Sequence, residues 1–434
     1  MTLEKKKFEY KWIVLVLAFL MVFVCLGFCS SNKGLYLSAI TDALGIARSE
    51  FSINDSCRFI STAIINLFFG SLVAKFGVRK MIGFGFLSLI ASMLIYATAE
   101  NIYVFYIGGV LLGVGLTFTS TTMASSVVRR WFKKDIGKYT GIVFASNGIG
   151  GALAAQIVTP MINDENNIFG YRNAYIFVAA LLLVIGILVV CFMKESPKDE
   201  PAAPAAPAKK KARGMIWTGV EYSTVTKKLY FYLAMFVVFF TGFSLQGING
   251  AYAAHMKDVG LSPEFVATVA SVFSLGVTFS KLLVGAMYDR MGLRPVMLIC
   301  QGASIVSFIL LGILSVSFVA AAPTVSMVMA FIFAILYALA IPLETLVIPL
   351  IVNDLFGTVS YDKLLGITAA LNYSGYALGA PIVNWCYDKF GTYSPALFVL
   401  AAATVAMLLV FQGVINSANK VKRAIIAKEE AVEQ

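Results

Sequence analysis

Charged side chains are scarce in the apolar runs of this 434-residue chain, and those present are of types that hold ions or move protons. Lys281 sits in Phe279-Ser-Lys-Leu-Leu283, four residues before Gly285, with no acid nearby in sequence. A cation there suits a small anion, or else it snorkels its ammonium to a membrane surface. Lys33, in Ser30-Ser-Asn-Lys-Gly-Leu-Tyr36, poses the same choice between accepting an incoming anion and being solvated at the outer end of a helix. Asp55 and Arg58, three residues apart, share one helical face, as a structural ion pair or as one that protonation of Asp55 opens. Glu344 lies between Pro342 and Pro349, where freed backbone groups mark irregular, cavity-lining helix. A carboxylate there either carries a proton or pairs with a base on a neighbouring helix. Asn147, Asn372, Tyr373, Gln246 and Asn249 offer amides and a phenol that orient a polar solute or join helices. Gly148, Gly150, Gly151, Gly375 and Gly379 read as close-packing positions. Six scattered cysteines and the single His255 support neither a disulfide framework nor a metal site. No nucleophile–base pair is legible, so neither catalysis nor a cofactor is expected.

These residues must be positioned by membrane helices. Hydrophobic residues make up 59% of the chain and charged ones 13%, far from the roughly 45–50% and 25% of soluble domains. Runs near the ~20 residues needed to cross hydrocarbon predict twelve helices, at 12–36, 51–74, 81–99, 102–127, 137–161, 171–193, 229–254, 262–284, 295–315, 323–350, 364–387 and 393–415. The first is too long for a signal-peptide core, lacks a small-residue cleavage site, and is expected to be retained. An all-α membrane protein of two six-helix bundles follows: 1–193, a flexible linker over 194–228 containing Pro-Ala-Ala-Pro-Ala-Ala-Pro-Ala and Lys209-Lys-Lys, and 229–434 with a short tail. With both termini cytoplasmic, 27 of the 34 Lys and Arg fall on the inner side, while Arg48, Arg172, Lys257 and Lys389 fall in outer loops. The net charge of +11 therefore records orientation in a cytoplasmic membrane, not a nucleic-acid partner.

The chain repeats itself. Gly70-Ser-Leu-Val-Ala-Lys-Phe-Gly-Val-Arg-Lys80 and Gly285-Ala-Met-Tyr-Asp-Arg-Met-Gly-Leu-Arg294 lie 215 residues apart, and Gly141-Ile-Val-Phe-Ala-Ser-Asn147 returns as Gly366-Ile-Thr-Ala-Ala-Leu-Asn372. Duplicated bundles with a site between them suit a carrier that opens to each side in turn. The two Gly-rich loops resemble the signature of the major facilitator superfamily, in which a Gly-x-x-x-Asp-Arg-x-Gly-Arg-like loop follows the second helix of each half. Gly70, Arg79, Gly285, Asp289 and Arg290 then take the gating-loop positions, glycine permitting close helix approach; Ala74 stands where the first loop's acid is expected. Within the superfamily, Arg129-Arg-Trp-Phe-Lys-Lys-Asp-Ile-Gly-Lys-Tyr-Thr-Gly141, Pro349-Leu-Ile-Val-Asn-Asp-Leu-Phe-Gly357 and Gly45-Ile-Ala-Arg-Ser-Glu-Phe-Ser52 are similar to loops of oxalate/formate-antiporter-like and monocarboxylate transporters.

That resemblance implies a secondary active transporter of a small organic anion, by proton symport or anion exchange, and a monomer. It implies that Lys281 holds the carboxylate, with Lys33, Asn147, Asn249, Asn372 and Tyr373 around the substrate and Asp55, Arg58 and Glu344 in proton coupling. The group's dianion carrier has a second cation where Tyr373 falls, so a monocarboxylate is expected here. A drug exporter and a non-translocating sensor remain the alternatives. The exporter would want a Gly-Pro-x-x-Gly-Gly run where this chain has Asn147-Gly-Ile-Gly-Gly151, and the sensor would want a signalling domain where the tails are short.

Overall fold

A computed structural model describes residues 10–132, 136–164, 167–195, 219–316, 322–357 and 359–433. Among these the chain is helical, without a strand. The first elements are α1 (Lys11–Val22), a wide π-helical turn (Phe23–Phe28), α2 (Lys33–Leu44), α3 (Arg48–Phe76), α4 (Val78–Thr98), α5 (Ile102–Thr119), α6 (Thr121–Trp131), α7 (Ile136–Ile162) and α8 (Gly170–Phe192). After the short α9 (Tyr222–Val225) come α10 (Leu229–Asp258), α11 (Pro263–Met291), α12 (Leu293–Ile313), α13 (Pro323–Ala340), a 3₁₀ turn (Ile341–Glu344), α14 (Val347–Phe356), α15 (Tyr361–Phe390) and α16 (Ser394–Glu433).

Among the described residues eleven spans are long and apolar enough to cross a membrane, counting α1–α2, α5–α6 and α13 with its 3₁₀ turn as one each. The 30-residue α15, which carries Asn372, Ser374 and Asn384, is the twelfth long helix. Large apolar side chains such as Leu67 (82% exposed) face outward, as a lipid-facing surface requires.

Helices expected to be continuous are broken where polar side chains compete for the backbone. The first run does not end near residue 36 but continues to Leu44, interrupted at Cys29–Asn32, where Ser31 Oγ donates to the Leu26 carbonyl. The fourth breaks at Ser120, behind Thr117 and Thr119 hydroxyls that donate to carbonyls four residues back. The tenth breaks between its prolines, as their missing N–H groups dictate.

Two units emerge: residues 1–46 with 60–206, and Ala47–Phe59 with 207–434, so the first turns of α3 pack with the second unit. The internal repeat is visible in the backbone of each. Gly77 and Gly292, seven residues after Gly70 and Gly285, begin the next helices at φ +83° and +79°, a left-handed conformation that glycine adopts without strain. Two residues further on, Arg79 Nε donates to the Val190 carbonyl of α8 at 2.7 Å and Arg294 Nε to Gln412 Oε1 of α16 at 2.8 Å. Each repeat thus ties its loop to the last helix of its own unit.

Much of the expected linker, 196–218, lies outside the described residues, as do Lys133, Lys134 and Asp135 of the Arg-Trp-Phe motif. The end of the linker is held in place: Val220 N–H donates to the Phe356 carbonyl at 2.9 Å and Tyr222 N–H to Ser360 Oγ at 3.0 Å.

Candidate substrate and proton site

Pro342 and Pro349 cannot donate to the carbonyls four residues before them, so the α13–α14 run loosens into the 3₁₀ turn ending at Glu344. The Glu344 carbonyl, outside any regular helix, accepts from Asn372 Nδ2 at 3.1 Å and from the Tyr376 hydroxyl at 2.9 Å, both on α15. Its carboxylate Oε1 accepts from Gln246 Nε2 of α10 at 2.8 Å. Glu344 is 5% exposed and Gln246 8%. Two helices, α10 and α15, therefore hold one acid in a fixed place.

Small residues let α10 and α15 come this close. A Cβ on Gly242 would stand 2.6 Å from both oxygens of Asn372, and one on Gly247 3.0 Å from the Gly379 carbonyl. Gly375 and Gly379 abut the backbone of Phe239 and Phe243 in the same way, which is the packing role expected of them. Gly150 abuts Phe23 similarly in the first unit.

Lys281 lies ten residues before the end of α11, about 15 Å along its axis. Its neighbours Phe279, Leu282 and Leu283 face outward at 69, 64 and 53% exposure, whereas Lys281 is half-buried on the inward side. There it comes close enough to Glu344 for the two charges to interact. The acid missing near Lys281 in sequence is thus supplied by the broken helix.

Glu344 and Arg58 both act electrostatically on Tyr373 and Tyr376, with opposite sign. Arg58 Nη1 stands 3.7 Å from Asp55 Oδ1, and its guanidinium lies over the Phe59 ring at 4.3 Å. Phe59 packs on Tyr376 at 5.0 Å and Tyr376 on Tyr373 at 5.3 Å between ring centroids. Asn249, half-buried one turn after Gln246, completes the α10 face. The second unit therefore gathers Lys281, Glu344, Gln246, Asn249, Asn372, Tyr373 and the Asp55–Arg58 pair around one broken helix.

Lys33 and Asn147 belong to the first unit. The longer helix places Lys33 not at its outer end but eleven residues before Leu44, about 17 Å along the axis. Asn147 Oδ1 accepts from Ser31 Oγ at 2.9 Å and Asn32 Nδ2 donates to the Gly151 carbonyl at 2.7 Å, so these amides join α7 to the break before Lys33.

Of the gating-loop residues, Arg79 is bound as described above, and Asp289 and Arg290 are exposed. Gly70 and Gly285 do not make the close helix approach expected of them. A Cβ on Gly70 meets none of the described atoms within 4 Å, and one on Gly285 meets only Leu346 at 3.8 Å.

Sequence reasoning missed a cluster around Arg48. Assigned to a loop, Arg48 opens α3 and is 6% exposed. Its Nη1 and Nη2 bond the two carboxylate oxygens of Asp258 at 2.5 and 2.8 Å, Nη1 reaches the Tyr393 hydroxyl at 3.2 Å, and the guanidinium stacks 3.9 Å from the Tyr387 ring centroid. Asp388 accepts from the backbone N–H groups of Arg48 and Ser49 at 3.0 and 2.9 Å, a carboxylate at the positive end of a helix. Asn384 Nδ2 donates to Ser52 Oγ at 2.8 Å. The Tyr387-Asp388 step before Gly391 was the available hint.

The sequence model for the Major Facilitator Superfamily matches residues 17–243 and 234–432. The sialic acid transporter NanX of Escherichia coli (strain K12) is 23% identical over 90% of this chain and 91% of its own. Monocarboxylate transporter 12 of Xenopus laevis is 23% identical over 74% and 70%, and the multi-drug resistance efflux pump PmrA of Streptococcus pneumoniae 25% over 69% and 68%. Among solved structures, the nucleoside transporter NupG covers 94% of this chain and 99% of its own at TM-score 0.67 and 15% identity, a likeness of fold alone.

Proposed function

The chain belongs to the Major Facilitator Superfamily, and within it we propose that it carries a small monocarboxylate together with a proton, holding the carboxylate on Lys281 and the proton on Glu344. The observation that carries this reading is that the half-buried Lys281 has Glu344 as its charge neighbour. The pair is neutral overall. A monocarboxylate arriving at Lys281 adds a negative charge, and an uncompensated buried charge costs roughly 3–5 kcal/mol. A proton on Glu344 cancels it. Glu344 then gives up Lys281 to the substrate and keeps its place through Gln246 and through the carbonyl contacts of Asn372 and Tyr376. The Asp55–Arg58 pair, likewise neutral, borders Tyr373 and sets the polarity on that side.

Two relatives are named for the transport of acids, sialic acid and monocarboxylates, which supports an acid as cargo. An exporter of cationic drugs would want an acid free to meet a cation, whereas Glu344 already faces one. In this reading two six-helix halves joined through 194–228 lie in the cytoplasmic membrane with both termini inside, and Lys33 and Asn147 are the solute-binding candidates of the first unit.

Counterflow in proteoliposomes tests the assignment. Radiolabelled lactate loaded against unlabelled lactate should exchange in the wild type and not in a folded Lys281→Gln protein. Equal exchange by the two would remove Lys281 from the site.

A further inference from the structure

The broken helix leaves more acceptors than donors around it. Gln246 turns its amide nitrogen to the Glu344 carboxylate, which accepts only, so its Oε1 is turned elsewhere. Asn372 likewise gives its nitrogen to the Glu344 carbonyl, and its Oδ1 packs directly against the Gly242 backbone, which leaves no room there for a ligand. Neither oxygen, nor Oδ1 of Asn249 one turn along the same face of α10, has a donor among the described residues, and all three are buried. Gln246 and Asn372 are 8 and 3% exposed. Buried acceptors without donors are disfavoured, and two of them lie one turn apart on the face of α10 that holds the Glu344 carboxylate.

In the carboxylate reading Lys281 turns to the substrate, and none of its N–H groups bonds these oxygens. Their natural complement is a substrate that brings neutral donors. A second ammonium would be repelled by Lys281 and would compete with it for Glu344, whereas hydroxyl groups meet amide oxygens without added charge. Resting on the carboxylate reading above, we infer that the substrate is a hydroxylated monocarboxylate, its carboxylate on Lys281 and its hydroxyls donating to Gln246 and Asn249.

Binding to the purified full-length protein, read from intrinsic tryptophan fluorescence, tests this with matched sets at two chain lengths: propionate, glycerate, glycerol and serine, and hexanoate, gluconate and glucitol. At one length or the other the hydroxy acid should bind at least roughly tenfold tighter than its unsubstituted acid, since a site built for a hydrogen bond rejects the analogue that lacks it. In Asn249→Leu and Gln246→Met that advantage should shrink toward one. If either variant fails to fold, the wild-type series decides alone. Equal affinity of propionate with glycerate and of hexanoate with gluconate overturns the inference while leaving the carboxylate reading intact. Glycerol or glucitol binding as tightly as the corresponding acid overturns the carboxylate reading while the hydroxyl preference stands. Tighter binding of serine than glycerate, or saturable binding of neither hydroxy acid, also overturns the inference.

Discussion

Replacing Asp258 with Asn removes the charge facing Arg48 and keeps the side-chain volume. Arg48 is 6% exposed and bonds both carboxylate oxygens, at 2.5 and 2.8 Å, while the Asp258 side chain is 25% exposed. Leaving such a guanidinium unpaired costs roughly 3–5 kcal/mol. The partial exposure of Asp258 and the stacking of Arg48 on Tyr387 place this case near the lower bound, about 3 kcal/mol. Arg48→Met leaves only the more accessible carboxylate behind and should cost less, about 1–2 kcal/mol. In the double variant neither charge remains unpaired, so its loss should fall at least about 2 kcal/mol short of the sum of the single losses. Thermal unfolding of the purified protein followed by fluorescence reads this as a midpoint lowered by several degrees in Asp258→Asn and partly restored in the double variant. Additive losses, within about 0.5 kcal/mol, would refute the claim that these two side chains act as a buried pair.

Gly242→Ala should lower the unfolding midpoint, because its Cβ would meet Asn372 O and Oδ1 at 2.6 Å and overpacking costs about 1–3 kcal/mol. Gly413→Ala, with none of the described atoms within 4 Å of the new Cβ, should raise it by up to about 1 kcal/mol in stability, through helix propensity. In a thermal-shift titration, lactate should bind at least about tenfold tighter than oxalate or malonate, since a dianion leaves one charge uncompensated beside Lys281. Tyr373→Lys should narrow that gap, and an unchanged ratio would show that position 373 does not face the solute.

The membrane-helix content and the duplication were legible because they rest on composition and on a repeated glycine whose left-handed backbone no other residue adopts easily. Helix ten was legible as irregular because two prolines seven residues apart leave the helix no other course. The breaks at Ser31 and Ser120 were not legible: serine and threonine bond either their own helix or a neighbour, and only tertiary contacts such as Ser31–Asn147 decide which. Lys281 and Glu344 stood out as charges in apolar surroundings, but sequence could not pair residues so far apart. Arg48 was misplaced because an arginine just after Gly45 reads as solvated until Asp258, Asp388 and Tyr387 are brought around it by packing.

The account stands on Glu344 exchanging Lys281 for a proton when the substrate binds. Its most direct test is accumulation in proteoliposomes driven only by an acidic exterior, using whichever of propionate, lactate, glycerate and gluconate binds most tightly. The wild type should concentrate that acid inside as the exterior is acidified. Glu344→Gln, which keeps the side-chain shape and mimics the protonated acid, should exchange the acid across the membrane yet fail to concentrate it. Accumulation by Glu344→Gln equal to that of the wild type would contradict the account.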